Sequence, residues 1–224
     1  MSNNLYKFYK RIGKKVFKNT ENINFPYQDY QIRNKCTFIH IPKTAGTSIL
    51  DLIAGKGNYT RQHLPWYVYR NANPEFFKQS FKFAFTRNPW DRVYSTYCYF
   101  INGGDNKVDH YVSQKIQQFS GFNEFIINGL GKGYFRSHPL FLPQSNFIIT
   151  HNDELIVDFM GRFENIEMDF EKIVRELNLK RKLDHVNKSK RQDSYMDAYH
   201  SPKAVKIIKN MYIEDIKRFD YEFN

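Results

Sequence analysis

With 224 residues and a formal net charge of +11, the chain is long enough for one α/β domain with a sizeable core, and its surface favours an anionic partner. The 41% hydrophobic and 17% aromatic content excludes a disordered chain, and two cysteines exclude both a disulfide scaffold and a cysteine-based metal site. Charge alone does not choose among nucleic acid, acidic polysaccharide, phosphorylated nucleotide and membrane surface.

Residues 1–34 read as a basic N-terminal extension. Its first twenty positions hold six Lys/Arg and no acid, and Leu5, Phe8, Ile12 and Val16 recur at helical spacing. Such a helix either packs its apolar stripe on the domain or makes peripheral contact with a membrane or an acidic partner. It lacks the continuous apolar core of a signal peptide or membrane span, so a cytoplasmic location is expected.

Residues 35–41, KCTFIHI, suit a buried parallel strand, followed by a helix over 44–54. A second strand is predicted over 59–63, a helical turn over 74–80, and a third strand over 81–86 that ends at Arg87. Asn88 then caps a helix that Pro89 opens and that runs through Trp90, Val93, Tyr94 and Tyr97. Gly103-Gly104 breaks the chain before helices over 108–119 and 123–127 and a GLGKG loop. A strand over 155–163 leads to a helix over 166–177. The closing helix takes Ser201 as cap and Pro202 as first residue, with Val205, Ile208, Tyr212, Ile216 and Phe219 on one face. Strands alternating with helices predict one domain over 35–224, three layers deep, with a mostly parallel sheet flanked by helices.

The first strand-to-helix turn, Lys43-Thr44-Ala45-Gly46-Thr47-Ser48, combines unpaired helix amides, hydroxyls and one ammonium, which suits a bound phosphate or sulfate. It is not the GxxxxGK[ST] loop of nucleoside triphosphatases, because Lys43 comes first and no glycine precedes it.

IPKTAGTS (41–48) resembles the 5′-phosphosulfate loop of sulfotransferases that use 3′-phosphoadenosine 5′-phosphosulfate (PAPS), the carbohydrate sulfotransferases above all. FAFTRNPWDRVYSTY (83–97) resembles that family's 3′-phosphate motif, with Arg87 followed eight residues later by Ser95. Weaker similarity continues through GRFENIEMDF, HVNKSKRQDSY and DIKRFDYEF. The resemblance implies a P-loop NTPase-like sulfotransferase fold, and sulfuryl transfer to a hydroxyl of a saccharide, anionic or not, with adenosine 3′,5′-bisphosphate as product and no metal. It also implies that residues 43–48, Arg87 and Ser95 bind the nucleotide, and makes Lys188, Ser189, Lys190 and Arg191 candidates for its phosphate; those four read equally as a solvated charge run.

Sulfuryl transfer needs charge stabilisation at the leaving oxygen, the part taken by Lys43 and the neighbouring amides, and a base for the acceptor hydroxyl. Histidine is the default base near neutral pH. Among seven histidines, His63 is preferred as catalytic and acceptor-binding, since it follows Lys43 by twenty residues. His138, beside Arg136 in RSHPLFLPQ, is the second choice, and both of these are expected to touch the acceptor. His40 reads as structural, and Glu75 and Asp105 stand as substitute bases. Arg92 suits an ion pair or the nucleotide edge, and Trp66 and Trp90 either stack on a ligand or pack in the core. Two other readings stay open: a basic nucleic-acid-binding module and a P-loop-like small-molecule kinase.

Overall fold

The computed structural model describes residues 25–133, 135–179 and 194–224. Its strands are β1 (Cys36–Phe38), β2 (Phe81–Thr86) and β3 (Phe159–Arg162), all parallel in the order β1-β2-β3. Cys36 pairs with Phe81, and Phe83 with Phe159.

Side chains along a strand alternate between faces, and here both faces are apolar. Cys36, Phe38, Phe83, Phe85 and Phe159 pack on one side with α1 (Asp29–Arg33), α2 (Gly46–Ile53) and α8 (Ile166–Glu176). Ile39, Ala84 and Met160 face the other side. There they meet α3 (Trp66–Ala72), α4 (Pro74–Gln79) and α7 (Ser145–Ile148). Helices thus cover both faces of the small sheet, as the alternation of elements predicts. Gly161 is required where β3 crosses the Phe85 ring, since a Cβ there would lie 2.4 Å from a ring carbon.

A second core lies beside the sheet. It joins α5 (Pro89–Ile101) and α6 (Lys107–Ile116) to the helical segments Phe122–Glu124 and Phe125–Gly129 and to α9 (Pro202–Met211), through Phe100, Phe125, Phe141 and Ile208. Both tryptophans belong to the cores. Trp66 donates its indole N–H to the Ile149 carbonyl at 3.0 Å, and Trp90 donates to Val205 at 3.1 Å.

Several predicted elements differ. No strand forms over 59–63; Gly55 and Gly57 hold positive φ just before it, and the chain continues as coil into α3, a helix the sequence reading omits. The first strand stops at Phe38 because the chain turns toward the Lys43 loop, and β3 begins only at Phe159. The closing helix breaks at Tyr212, whose hydroxyl donates to the Phe141 carbonyl at 2.7 Å, so that α10 (Ile213–Phe219) starts anew. Ser201 stands at the head of α9 without a side-chain cap; its N–H donates to Asn123 Oδ1 instead. Strand β2 and the Asn88 cap stand as predicted, with Asn88 Oδ1 accepting from the Trp90 N–H at 3.1 Å. Cys36 is buried and Cys98 half-buried. Residues 1–24 of the basic extension lie outside the described residues. Among the described residues no helix is long and apolar enough to cross a membrane.

Candidate active site

Two strand-to-helix turns meet at the carboxyl ends of β1 and β2, the edge where parallel sheets place their ligands. In the first, Lys43 and Ala45 hold φ of 67° and 65°, so the chain alternates hand around Thr44 before α2 begins. Backbone of that kind turns successive N–H groups toward one concave point, and the first turn of α2 adds its unpaired amides. The Thr44 hydroxyl points backward, donating to the Ile41 carbonyl at 2.9 Å, so it closes the turn. Thr47 is exposed and Ser48 half-buried, which leaves those two hydroxyls at the surface of the loop.

Small residues here are a packing requirement. A Cβ on Gly46 would lie 1.8 Å from His40 Nε2, so the helix start rests directly on that imidazole. His40 is 5% exposed, stacks on Phe38 and lies 4.3 Å, centroid to centroid, from His63. Burial holds its pKa well below the ordinary histidine value, with His63, Arg61 and Lys43 acting in the same direction. Its Nδ1 has no hydrogen-bond partner among the described residues.

His63 is half-buried, and its Nδ1 lies 3.1 Å from the His40 carbonyl. A carbonyl only accepts, so Nδ1 carries the proton and Nε2 presents its lone pair. Burial is the largest cause that brings the pKa of His63 down to about 4. The ring is therefore a neutral, oriented acceptor across the whole neutral range.

In the second turn, Arg87 is 4% exposed and held from every side. Its Nε and Nη2 both reach Asp91 Oδ2 at 2.7 Å, its Nη1 donates to the Lys43 carbonyl at 3.1 Å, and its plane lies 3.8 Å from the Phe163 ring centroid. The backbone of Arg87 is pinned separately. Its N–H donates to Gln144 Oε1 and its carbonyl accepts from Gln144 Nε2, both at 2.9 Å, so a fully buried side chain takes the place of a neighbouring strand. Gln144 and Ser145 are themselves set by Asp215, which accepts from their two amides at 2.7 and 2.9 Å. Glu164 accepts from the Asn88 N–H at 2.7 Å.

Asp91, Ser95 and Tyr99 recur every four residues on α5 and so share a face. Arg87 meets that face at Asp91, and the Lys43 ammonium lies 4.6 Å over the Tyr99 ring at its other end. Ser95, 8% exposed, sits between them. The two motifs are thus joined at backbone and side chain alike.

Beyond Lys43 the wall is polar. Tyr99 donates to Asp109 Oδ2 at 2.5 Å, Asn106 donates to the same oxygen at 2.6 Å, and the Asp109 charge raises the pKa of both His63 and His138 against the lowering by burial. Arg61 pairs with Asp105 at 2.8 Å across the two loops that flank this wall. His138 uses Nδ1 to accept from the Leu140 N–H at 3.2 Å and packs against Phe100, so it caps the Pro139–Phe141 turn. Arg136 donates to the Leu130 and Gly131 carbonyls. Arg92 is fully buried and donates to the Pro42, Leu140 and Leu142 carbonyls, a brace beneath the first loop. Glu75 lies on the exposed first turn of α4. Lys188, Ser189, Lys190 and Arg191 lie outside the described residues. Among the described residues no group of three or more His, Cys, Asp or Glu is placed to hold a metal ion.

The structure thus brings together Lys43, residues 44–48, His63, Arg87 and Ser95. Sequence reasoning missed Asp91, Tyr99, Asp109, Gln144 and Phe163. The four-residue spacing of Arg87, Asp91, Ser95 and Tyr99 was a signal for two of them, whereas nothing local marks Gln144.

A model of the sulfotransferase family matches residues 29–222. An uncharacterized protein of Archaeoglobus fulgidus is 27% identical over 130 residues, which cover 58% of this chain and 94% of the relative. No solved structure matches the chain.

Proposed function

The chain belongs to the sulfotransferase family, and from that premise we propose that it moves a sulfuryl group from PAPS to a hydroxyl of a saccharide acceptor. The observation that carries this reading is the bond from Arg87 to the Lys43 carbonyl, which unites a backbone-lined anion loop and a buried arginine at adjacent strand ends. A nucleotide with phosphate groups at both its 5′ and 3′ positions fits such a pair of sites. The strand-to-helix geometry also supports a P-loop-like arrangement of the sheet, with the ligand at its carboxyl edge.

The donor supplies the activated sulfuryl group, and the new S–O bond forms in line with the breaking one. Lys43 and the amides of residues 44–48 stabilise the negative charge that develops on the leaving 5′-phosphate. His63, with Nδ1–H fixed on the His40 carbonyl, takes the acceptor proton at Nε2. Ser95 and Arg87 contact the 3′-phosphate. Tyr99 and Asp109 form the acceptor wall, where an aromatic face and a carboxylate suit the CH and OH groups of a sugar ring. His138 shapes that wall as a cap, and Arg136 supports the neighbouring loop.

The test is isothermal titration with adenosine 3′,5′-bisphosphate beside AMP and ATP, in wild type and Arg87→Ala. Preference for the bisphosphate that collapses without Arg87 supports the reading. Equal binding of ATP would return the kinase alternative, and binding only of an oligonucleotide would return the nucleic-acid module.

A further inference from the structure

We propose that Asp91 is a positioning residue that gives the nucleotide site its preference for a 3′-phosphate, by fixing the plane of Arg87. The inference rests on the nucleotide reading above and goes beyond it, since Asp91 reaches the ligand only through Arg87.

A guanidinium is flat, so its direction matters as much as its charge. Among the described residues, contacts from three parts of the chain set that direction for Arg87. The Asp91 carboxylate, one turn along α5, takes the side edge through Nε and Nη2. The Lys43 carbonyl takes Nη1. Phe163, at the end of β3, lies against the flat face. Of these only Asp91 is charged, and its half-buried side chain, 14% exposed, bonds the arginine directly, so it is the strongest restraint.

An anionic residue beside a phosphate-binding arginine is otherwise hard to explain. Simple charge attraction would favour its removal, because a carboxylate repels every phosphate alike. The geometry assigns it the opposite role, in which orientation outweighs repulsion at one phosphate position. Asp91 also occupies the first turn of α5, where a carboxylate favours the helix start. That contribution is purely structural and acts on stability without regard to the ligand.

The two roles separate by measurement. In Asp91→Asn the charge is lost at constant size. Positioning predicts that the ratio of bisphosphate to AMP affinity falls about tenfold or more, while AMP and inorganic phosphate bind as well or better. Asp91→Glu, which keeps a carboxylate on α5 within reach of Arg87, should restore most of the ratio. A purely structural role would lower the melting temperature in Asp91→Asn and leave the ratio unchanged, which would overturn the proposal.

The Nε–H resonance of Arg87 gives a check that does not depend on the variant folding. In the wild type, identified by its loss in Arg87→Lys, it should be protected from solvent exchange, and its absence would equally overturn the proposal. A wild type that binds AMP and bisphosphate alike defeats the nucleotide reading and this role together. One that discriminates, beside an Asp91→Asn that discriminates equally, defeats this role alone.

Discussion

The two strand-end turns reach the same ligand edge by different means. The β1 turn is built from its own backbone, with Lys43 and Ala45 at positive φ and Gly46 against an imidazole. The β2 turn is built from side chains brought from far along the chain, with Gln144 on the Arg87 backbone, Asp91 and Phe163 on its guanidinium, and Glu164 on Asn88. A backbone-built turn takes its shape from main-chain dihedrals and carries its reactive side chain at the rim, where the Lys43 ammonium lies over Tyr99. A scaffold-built turn merges the functional arginine with the fold.

The largest effect should therefore be functional and at the first turn. Lys43→Met is expected to lower sulfuryl transfer by about 10²–10³, the scale for losing one preorganised charge donor. Its melting temperature should stay near wild type; a large loss of stability would break the contrast. At the second turn the order reverses. Gln144→Met removes the side chain that bonds both the buried N–H and the carbonyl of Arg87, at about 1–3 kcal/mol for each bond lost, read by denaturant unfolding. Retained stability there would mean that the Arg87 backbone has another support.

Gly46→Ala tests the packing side of the first turn. Its Cβ would collide with His40, for a cost of about 1–3 kcal/mol. Adding His40→Ala should recover part of that loss, and no recovery would place the strain elsewhere.

The last effect is in pH. Burial lowers the pKa of both His40 and His63, so the folded state binds fewer protons than the unfolded chain below the ordinary histidine value of about 6.5. Stability should hold above that value and decline as pH falls toward 4, with the decline shallower in His63→Asn. The acid limb of the transfer rate should likewise lie near 4, where His63 gains a proton, and not near 6.5. A rate already halved at the ordinary histidine value would show that His63 is not the base.

The same contrast explains what was legible. Strand β2, the Asn88 cap with Pro89, and the lysine turn were all readable, because each rests on interactions within a few residues. His63 was reached from its distance after Lys43, from a strand predicted to end at it and from the family resemblance; that strand is coil, and the His40 carbonyl, not a sheet, holds the ring. Arg136 and His138 looked like ligand-facing polar residues in a loop. The structure bonds them to nearby backbone groups, a competition invisible without the folded loop. The break at Tyr212 escaped for a similar reason, since its hydroxyl partner is Phe141.

The sequence by itself determined the alternation of strands and helices, the two turns and the identity of their cations, because short-range sterics, capping and side-chain period act within a few residues. Only the tertiary structure decided which face of each cation is used. Gln144, Asp215, Phe163 and the His40 carbonyl lie far from the residues they orient, and a hydrogen bond or ring contact depends on direction at close range, which no local pattern encodes.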